Sequence, residues 1–185
     1  MKKVLAIVTL FSFMIAGEMG LSAYGGLNLA NISYEESCSD CSMKTGLSLG
    51  VNYSKPTLPV ILGAGISMRG SKMETTGFKS ETKFMYLDLS AIYPYPLGPG
   101  GIWAGIDIGM PLKSEWCGTQ GSASEECKDI EDVNTDYGLS LGYAYPINET
   151  MAVYASYYLG LAEIDEDMKA KHTGIGLGMS YELPF

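Results

Sequence analysis

Eight times along this chain, apolar and small or polar residues alternate strictly, and few folds can use that pattern. The last repeat, GIGLGMSYELPF, sets Ile175, Leu177, Met179, Tyr181 and Leu183 against Gly174, Gly176, Gly178, Ser180 and Glu182. Period-2 alternation marks a strand with two unlike faces. The first repeat, GLSAYGGLNLAN, puts Leu21, Ala23, Gly25, Leu27 and Leu29 on one face. KTGLSLGVNYS sets Leu47, Leu49, Val51 and Tyr53 against Gly46, Ser48, Gly50 and Asn52. LPVILGAGISMRG sets Leu62, Ala64, Ile66 and Met68 against Gly63, Gly65, Ser67 and Arg69. FMYLDLSAIY sets Met85, Leu87, Leu89 and Ala91 against Tyr86, Asp88 and Ser90. GIWAGIDIGMPLK, DYGLSLGYAY and MAVYASYYLGLA continue the rhythm, with Trp103, Asp107, Gly138, Ser140, Tyr154 and Tyr158 on the less apolar face.

The connections alternate in length. Short turns containing proline (KPT, PYPLGPGG, PINE) follow the second, fourth and sixth repeats, and longer polar segments follow the first, third, fifth and seventh. An even number of strands with short turns at one end and long loops at the other is the layout of a membrane barrel. The fold class that follows is all-β: an eight-stranded antiparallel up-and-down transmembrane β-barrel. Ahead of it, Met1-Lys2-Lys3 and the apolar run from Val4 to Ile15, followed by Ala16-Gly17, have the form of a cleavable signal peptide. That run is too short for a membrane-anchoring helix, and no cysteine near the cut supports a lipid anchor. The expected division is 1–17 signal peptide and 18–185 barrel.

Alternation alone does not say which face is outside. Aromatics collect on the apolar face where strands approach the short turns: Tyr53, Tyr93, Tyr95, Tyr143, Tyr145, Tyr181 and Phe185. Rings gathered at one level read as an interfacial girdle. The opposite face is small and polar with isolated charges, Arg69, Asp88, Asp107 and Glu182. The interior of an eight-stranded barrel is just wide enough to be filled by side chains, so these are expected in the lumen. A soluble lipocalin-like barrel needs the reverse arrangement.

On the Gly-x-Gly alternation of GLSLGVNY and GIGLGMSY, the central YLDLS strand and the terminal Phe185, the chain resembles the small eight-stranded outer-membrane barrels of Gram-negative bacteria, the OmpA/OmpX-like and porin-family proteins. It departs from many of them in having YLDLS where a YLEIP-like segment is common, and in its loop cysteines. The resemblance implies a bacterial outer-membrane location with both ends of the mature chain in the periplasm. It also implies recognition of the last strand and Phe185 by the barrel-assembly machinery, lipid contact all round, and a monomer.

Four cysteines fall in the expected long loops: Cys38 and Cys41 in the first, Cys117 and Cys127 in the third. An exported chain meets an oxidising compartment. The two loops sit on opposite sides of the mouth, beyond the reach of one disulfide, which favours local pairs; cross-pairing needs loops folded over the mouth. Cys38-Ser39-Asp40-Cys41 has the spacing of a redox motif, but in an acidic loop without a helix N-terminus to lower a thiol pKa. A four-cysteine zinc site fails on the wide second spacing. No metal and no cofactor are expected.

His172, the single histidine, reads as a solvated rim residue. A lipid hydrolase would need a nucleophile held against it, and only Thr173 is adjacent. Acidic residues cluster in the loops (Glu35, Glu36, Asp40; Glu125, Glu126, Asp129, Glu131, Asp132; Glu163, Asp165, Glu166, Asp167), reading as a hydrated outer surface without a calcium-loop pattern. GAG and GIGLG are not followed by a helix and are strand glycines rather than phosphate loops. Asn148-Glu149-Thr150 matches a glycosylation acceptor by chance. With a formal charge of −9 and no basic stripe, nucleic-acid binding is not expected.

These features point to a non-enzymatic integral membrane protein with a structural or surface role. A narrow path through it would prefer cations, since three lumen carboxylates outnumber Arg69, and an Arg69–Asp88 pair would close that path. The alternatives are an adhesin or ligand surface built on disulfide-held loops, and a lipid-modifying barrel that uses His172.

Overall fold

The computed structural model describes residues 20–33, 41–120, 124–131, 133–164 and 170–184. The expected signal peptide, Cys38 and Phe185 lie outside these residues. The strands are β1 (Gly20–Ser33), β2 (Cys41–Ser54), β3 (Ile61–Thr75), β4 (Phe78–Leu97), β5 (Gly100–Gln120), β6 (Glu126–Asp129), β7 (Asp136–Pro146), β8 (Met151–Gly160) and β9 (Lys171–Glu182). Neighbours run in the order β4-β3-β2-β1-β9-β8-β7-β5, and β4 pairs with β5 to close an antiparallel ring of eight. β6 stands outside the ring, paired only with the far end of β5. Closure leaves no ring edge unpaired, as lipid requires.

The apolar face points outward. Leu49 is 65% exposed, Leu141 56% and Ile106 53%, and Leu27, Leu47 and Leu177 are similar. In water, such a belt would be far larger than the apolar patches that soluble monomers tolerate. On β4 the belt runs from Tyr95 to Met85 and stops where Lys83 and Glu81 begin. Tyr93, Tyr95, Tyr145 and Tyr181 stand exposed at the short-turn end, and Tyr143 is half-buried. Tyr53 differs from that expectation: between Leu21 and Leu62 in register, it is only 7% exposed.

Two segments that read as long loops are in fact strand. The chain between the third and fourth repeats carries β3 to Thr75, turns tightly at Gly77 (φ +83°), and re-enters β4 at Phe78. The segment after the fifth repeat carries β5 to Gln120 and adds β6. Polar alternation above the lipid band still pairs backbone to backbone, but with no apolar face it escapes a pattern search. Cys117 and Cys127 therefore lie on paired strands rather than in loops, directly opposite each other.

The prolines sit where their missing N–H costs nothing. Beyond Ile92, β4 pairs only with β5, so Pro94 and Pro96 occupy a one-sided stretch. Pro111 marks the β5 bulge, where Tyr86 faces Pro111 and Met85 faces Lys113, leaving Leu112 as the extra residue. In the turn between β7 and β8, the Asn148 Oδ1 accepts hydrogen bonds from the backbone N–H groups of Thr150 (2.9 Å) and Met151 (2.8 Å). Asn148-Glu149-Thr150 is thus a side-chain-capped turn.

Candidate functional site

On the inward face, Arg69 leaves β3 at the level where the lipid band ends. Its Nη2 donates to Asp88 Oδ1 on β4 at 2.7 Å, its Nη1 donates to Asp136 Oδ2 at the start of β7, and its Nε donates to Ser67 Oγ at 3.1 Å. The guanidinium lies over the rings of Tyr158 (4.5 Å) and Tyr86 (5.1 Å), as expected for a planar cation among aromatics. His172 brings its Nδ1 to the same Asp136 oxygen at 3.1 Å. A carboxylate only accepts, so Nδ1 is the donor in this contact.

His172 is fully buried, not the solvated rim residue its place in the sequence suggests. It is packed edge-on against Phe84 (5.2 Å) and Tyr86 (5.6 Å). Its Nε2 meets no hydrogen-bond partner among the described residues. The Asp136–His172 pair resembles two-thirds of a hydrolytic triad, and no hydroxyl among the described residues is hydrogen-bonded to Nε2.

Next to this network lies an apolar cluster. Ile32, Phe84, Tyr86, Ile164 and Ala170 are all buried together, with Ile130 and Val133 packed against them. Backbone hydrogen bonds from the Asn134 N–H to the Ile164 carbonyl and from the Ile164 N–H to the Ala170 carbonyl tie these segments together. At this end of the barrel, the charged network and the apolar cluster share Tyr86, and Phe84 of the cluster packs on His172.

Below this network the interior is not filled. A cavity of about 990 Å³ runs from Arg69, Asp88 and His172 to a mouth at Ser54, Pro94, Glu182 and Pro184 on the short-turn end. Glu182 stands exposed at that mouth rather than inside. Glycines keep the space open. A Cβ on Gly142 would meet the Trp103 ring at 2.1 Å, one on Gly178 would meet the Tyr154 ring at 2.5 Å, and one on Gly50 or Gly65 would meet the Tyr24 hydroxyl at 2.5 or 2.4 Å. The rings therefore lie along the wall over cross-strand glycines, instead of crossing the lumen.

Outside the lipid band, the extension of β2–β6 is held by ion pairs and by disulfide bonding. Cys117–Cys127 bridges β5 and β6 with a Cα separation of 4.0 Å. Cys41 is also disulfide-bonded. Glu81 pairs with Lys44 (2.6 Å) and Lys83 (3.1 Å). The Lys44 stem reaches it across β3 at Gly70, where a Cβ would lie 3.0 Å from Lys44 Cδ and 2.0 Å from the Thr82 carbonyl. Burial by itself pushes the Glu81 carboxyl up, but the hydrogen bonds and charges of Lys44 and Lys83 outweigh it and hold the carboxyl below its ordinary range.

Asp136 was absent from the sequence-based set of lumen charges. It lies two residues before Gly138 on the same face, so extending the strand register by one pair would have found it. His172 likewise continues the Gly174–Gly176 face.

Ail, the attachment invasion locus protein of Yersinia pestis, solved in complex with the heparin analogue sucrose octasulfate, superposes with a TM-score of 0.57. It is 15% identical, over 90% of this chain and all of that one. Neisserial surface protein A matches at TM-score 0.60 and 12% identity, over 88% of this chain and 97% of that one. At these identities the likeness is one of fold. No curated protein matches the sequence. The model of the outer membrane protein beta-barrel domain matches residues 4–182. A closed eight-strand ring, an outward apolar belt and that match together make this chain a member of the outer membrane protein beta-barrel domain family, and so an integral protein of the bacterial outer membrane.

Proposed function

We propose that the protein is a surface barrel that does not conduct in its resting form, oriented with its long-loop end outward and both termini in the periplasm. The carrying observation is the double plug, the Arg69–Asp88/Asp136–His172 network under the apolar cluster around Phe84. With the lumen closed there, the part left to meet partners is the β-extension above the lipid band, stiffened by Cys117–Cys127 and the Glu81 ion pairs.

That surface adheres through its shape and its acidic residues. Glu125, Glu126, Asp129 and Glu131 border β6, so a polysulfated ligand such as the one in the Ail complex is disfavoured, and a basic or neutral surface fits. Cells displaying the barrel should adhere to a surface coated with a basic matrix protein and not to heparin, with adhesion falling when Cys117 and Cys127 are replaced by serine. Equal retention by cells lacking the barrel would refute this reading.

A second reading has its own support: the carboxylates of Asp88, Asp107 and Asp136 outnumber Arg69 in the lumen. If the plug opens, the path prefers cations. The reading as a lipid-modifying enzyme finds no nucleophile at His172 among the described residues.

A further inference from the structure

We infer that the lumen below the plug is a binding cup for a small organic cation, such as an aliphatic diammonium ion. It is entered from the short-turn end, the periplasmic side in the orientation proposed above. The inference concerns the interior and stands or falls independently of any surface partner.

Three observations carry it. The first is space. At about 990 Å³, the cavity has the size of a small-molecule site, whereas a barrel of eight strands is usually filled by its own side chains. Gly142, Gly178, Gly50 and Gly65 lay Trp103, Tyr154 and Tyr24 against the wall, and any larger residue at those positions would push a ring inward.

The second is the chemistry of the wall. Trp103 and Tyr154 meet edge to face with centroids 6.1 Å apart, and both line the cavity. Aromatic faces attract a cation by their quadrupole, more strongly when water is partly excluded. Hydroxyls and amides from Ser48, Asn52 and Ser156 also line it and offer acceptors for ammonium protons.

The third is unbalanced charge. Arg69 directs its two terminal nitrogens to Asp88 and Asp136, so Asp107, one register step nearer the mouth than Asp88, has no basic partner among the described residues. Asp107 lines the cavity, and Glu182 adds a second carboxylate at its mouth. A diammonium ion can set one end at Asp107 with its methylenes against the rings, and Glu182 at the mouth draws cations in. An anion would meet carboxylates at both ends, and a neutral apolar guest would leave Asp107 Oδ2 without a partner.

The chain has two tryptophans, Trp103 in the cup and Trp116 in the extension, where it stacks on Phe78. In the Trp116→Phe protein, refolded into phosphatidylcholine vesicles, Trp103 is the only indole. Titration with 1,4-diaminobutane should give a saturable change in its fluorescence that the same ionic strength of NaCl does not reproduce. Asp107→Asn should weaken the half-saturation point at least tenfold, and Tyr154→Leu several-fold, in proteins whose heat-modifiable gel shift shows them folded. No saturable change, or a response unaltered in whichever of these variants folds, overturns the inference. An equal response to sodium would show plain screening and overturn it too.

Discussion

Arg69→Met tests the plug while keeping an unbranched side chain of comparable length. Asp88 and Asp136 then stay buried, with side chains 14% and 0% exposed, and among the described residues only His172, on Asp136, remains as a basic partner. Removing one member of a buried ion pair costs about 3–5 kcal/mol, because a charge is left uncompensated. Loss of the contacts with the Tyr86 and Tyr158 rings adds about 0.5–1 kcal/mol each. The polar cavity below lets water reach part of the network and offsets some of this, so the working figure is about 3 kcal/mol. Reversible urea unfolding in lipid vesicles, followed by gel shift, reads it directly. Adding Asp88→Asn and Asp136→Asn to Arg69→Met should recover about half, because the penalty belongs to the stranded carboxylates. A loss below about 1 kcal/mol, or no recovery in the triple variant, would refute the reasoning.

Leu49→Arg, on the most exposed part of the belt, should cost about 2–4 kcal/mol in the same assay if that face meets lipid, and close to nothing if it meets water. Reducing Cys117–Cys127, which closes a separation of 10 residues, removes at most about 3 kcal/mol of loop-entropy stabilisation. Because β6 lies outside the ring, the loss should appear as faster amide exchange around residues 114–130, with the urea midpoint of the barrel unchanged. Glu81 has its folded carboxyl value depressed. Its contribution is therefore complete above the unfolded value of about 4.3 and is lost as pH falls through the lower folded value. Exchange protection of residues 72–83 should hold from neutral pH down to about 5 and fall below about 4, and Glu81→Gln should abolish that dependence.

The barrel was legible because lipid imposes a period on every spanning strand. Leu47-Leu49-Val51 and Ile106-Ile108-Met110 announce their face with no other context. The extension was not legible, because above the lipid band Lys72, Glu81 and Lys83 are paired by backbone and charge without an apolar face to count. The Arg69–Asp88 pair could be anticipated from two adjacent strands whose inward residues carry opposite charges. Asp136 and His172 come from strands across the barrel, and only ring closure brings them to Arg69. Trp103 and Tyr154 were visible on the inward face, but their lying flat over Gly142 and Gly178 depends on cross-strand register that one sequence does not fix.

Single-channel recording of the refolded mature chain in a planar bilayer at neutral pH tests the central claim most directly. A plugged barrel inserts, shows its heat-modifiable gel shift, and stays electrically silent in low and high salt, with or without reductant. Discrete, sustained conductance steps from the wild-type chain would contradict the plug formed by Arg69, Asp136 and the Phe84 cluster.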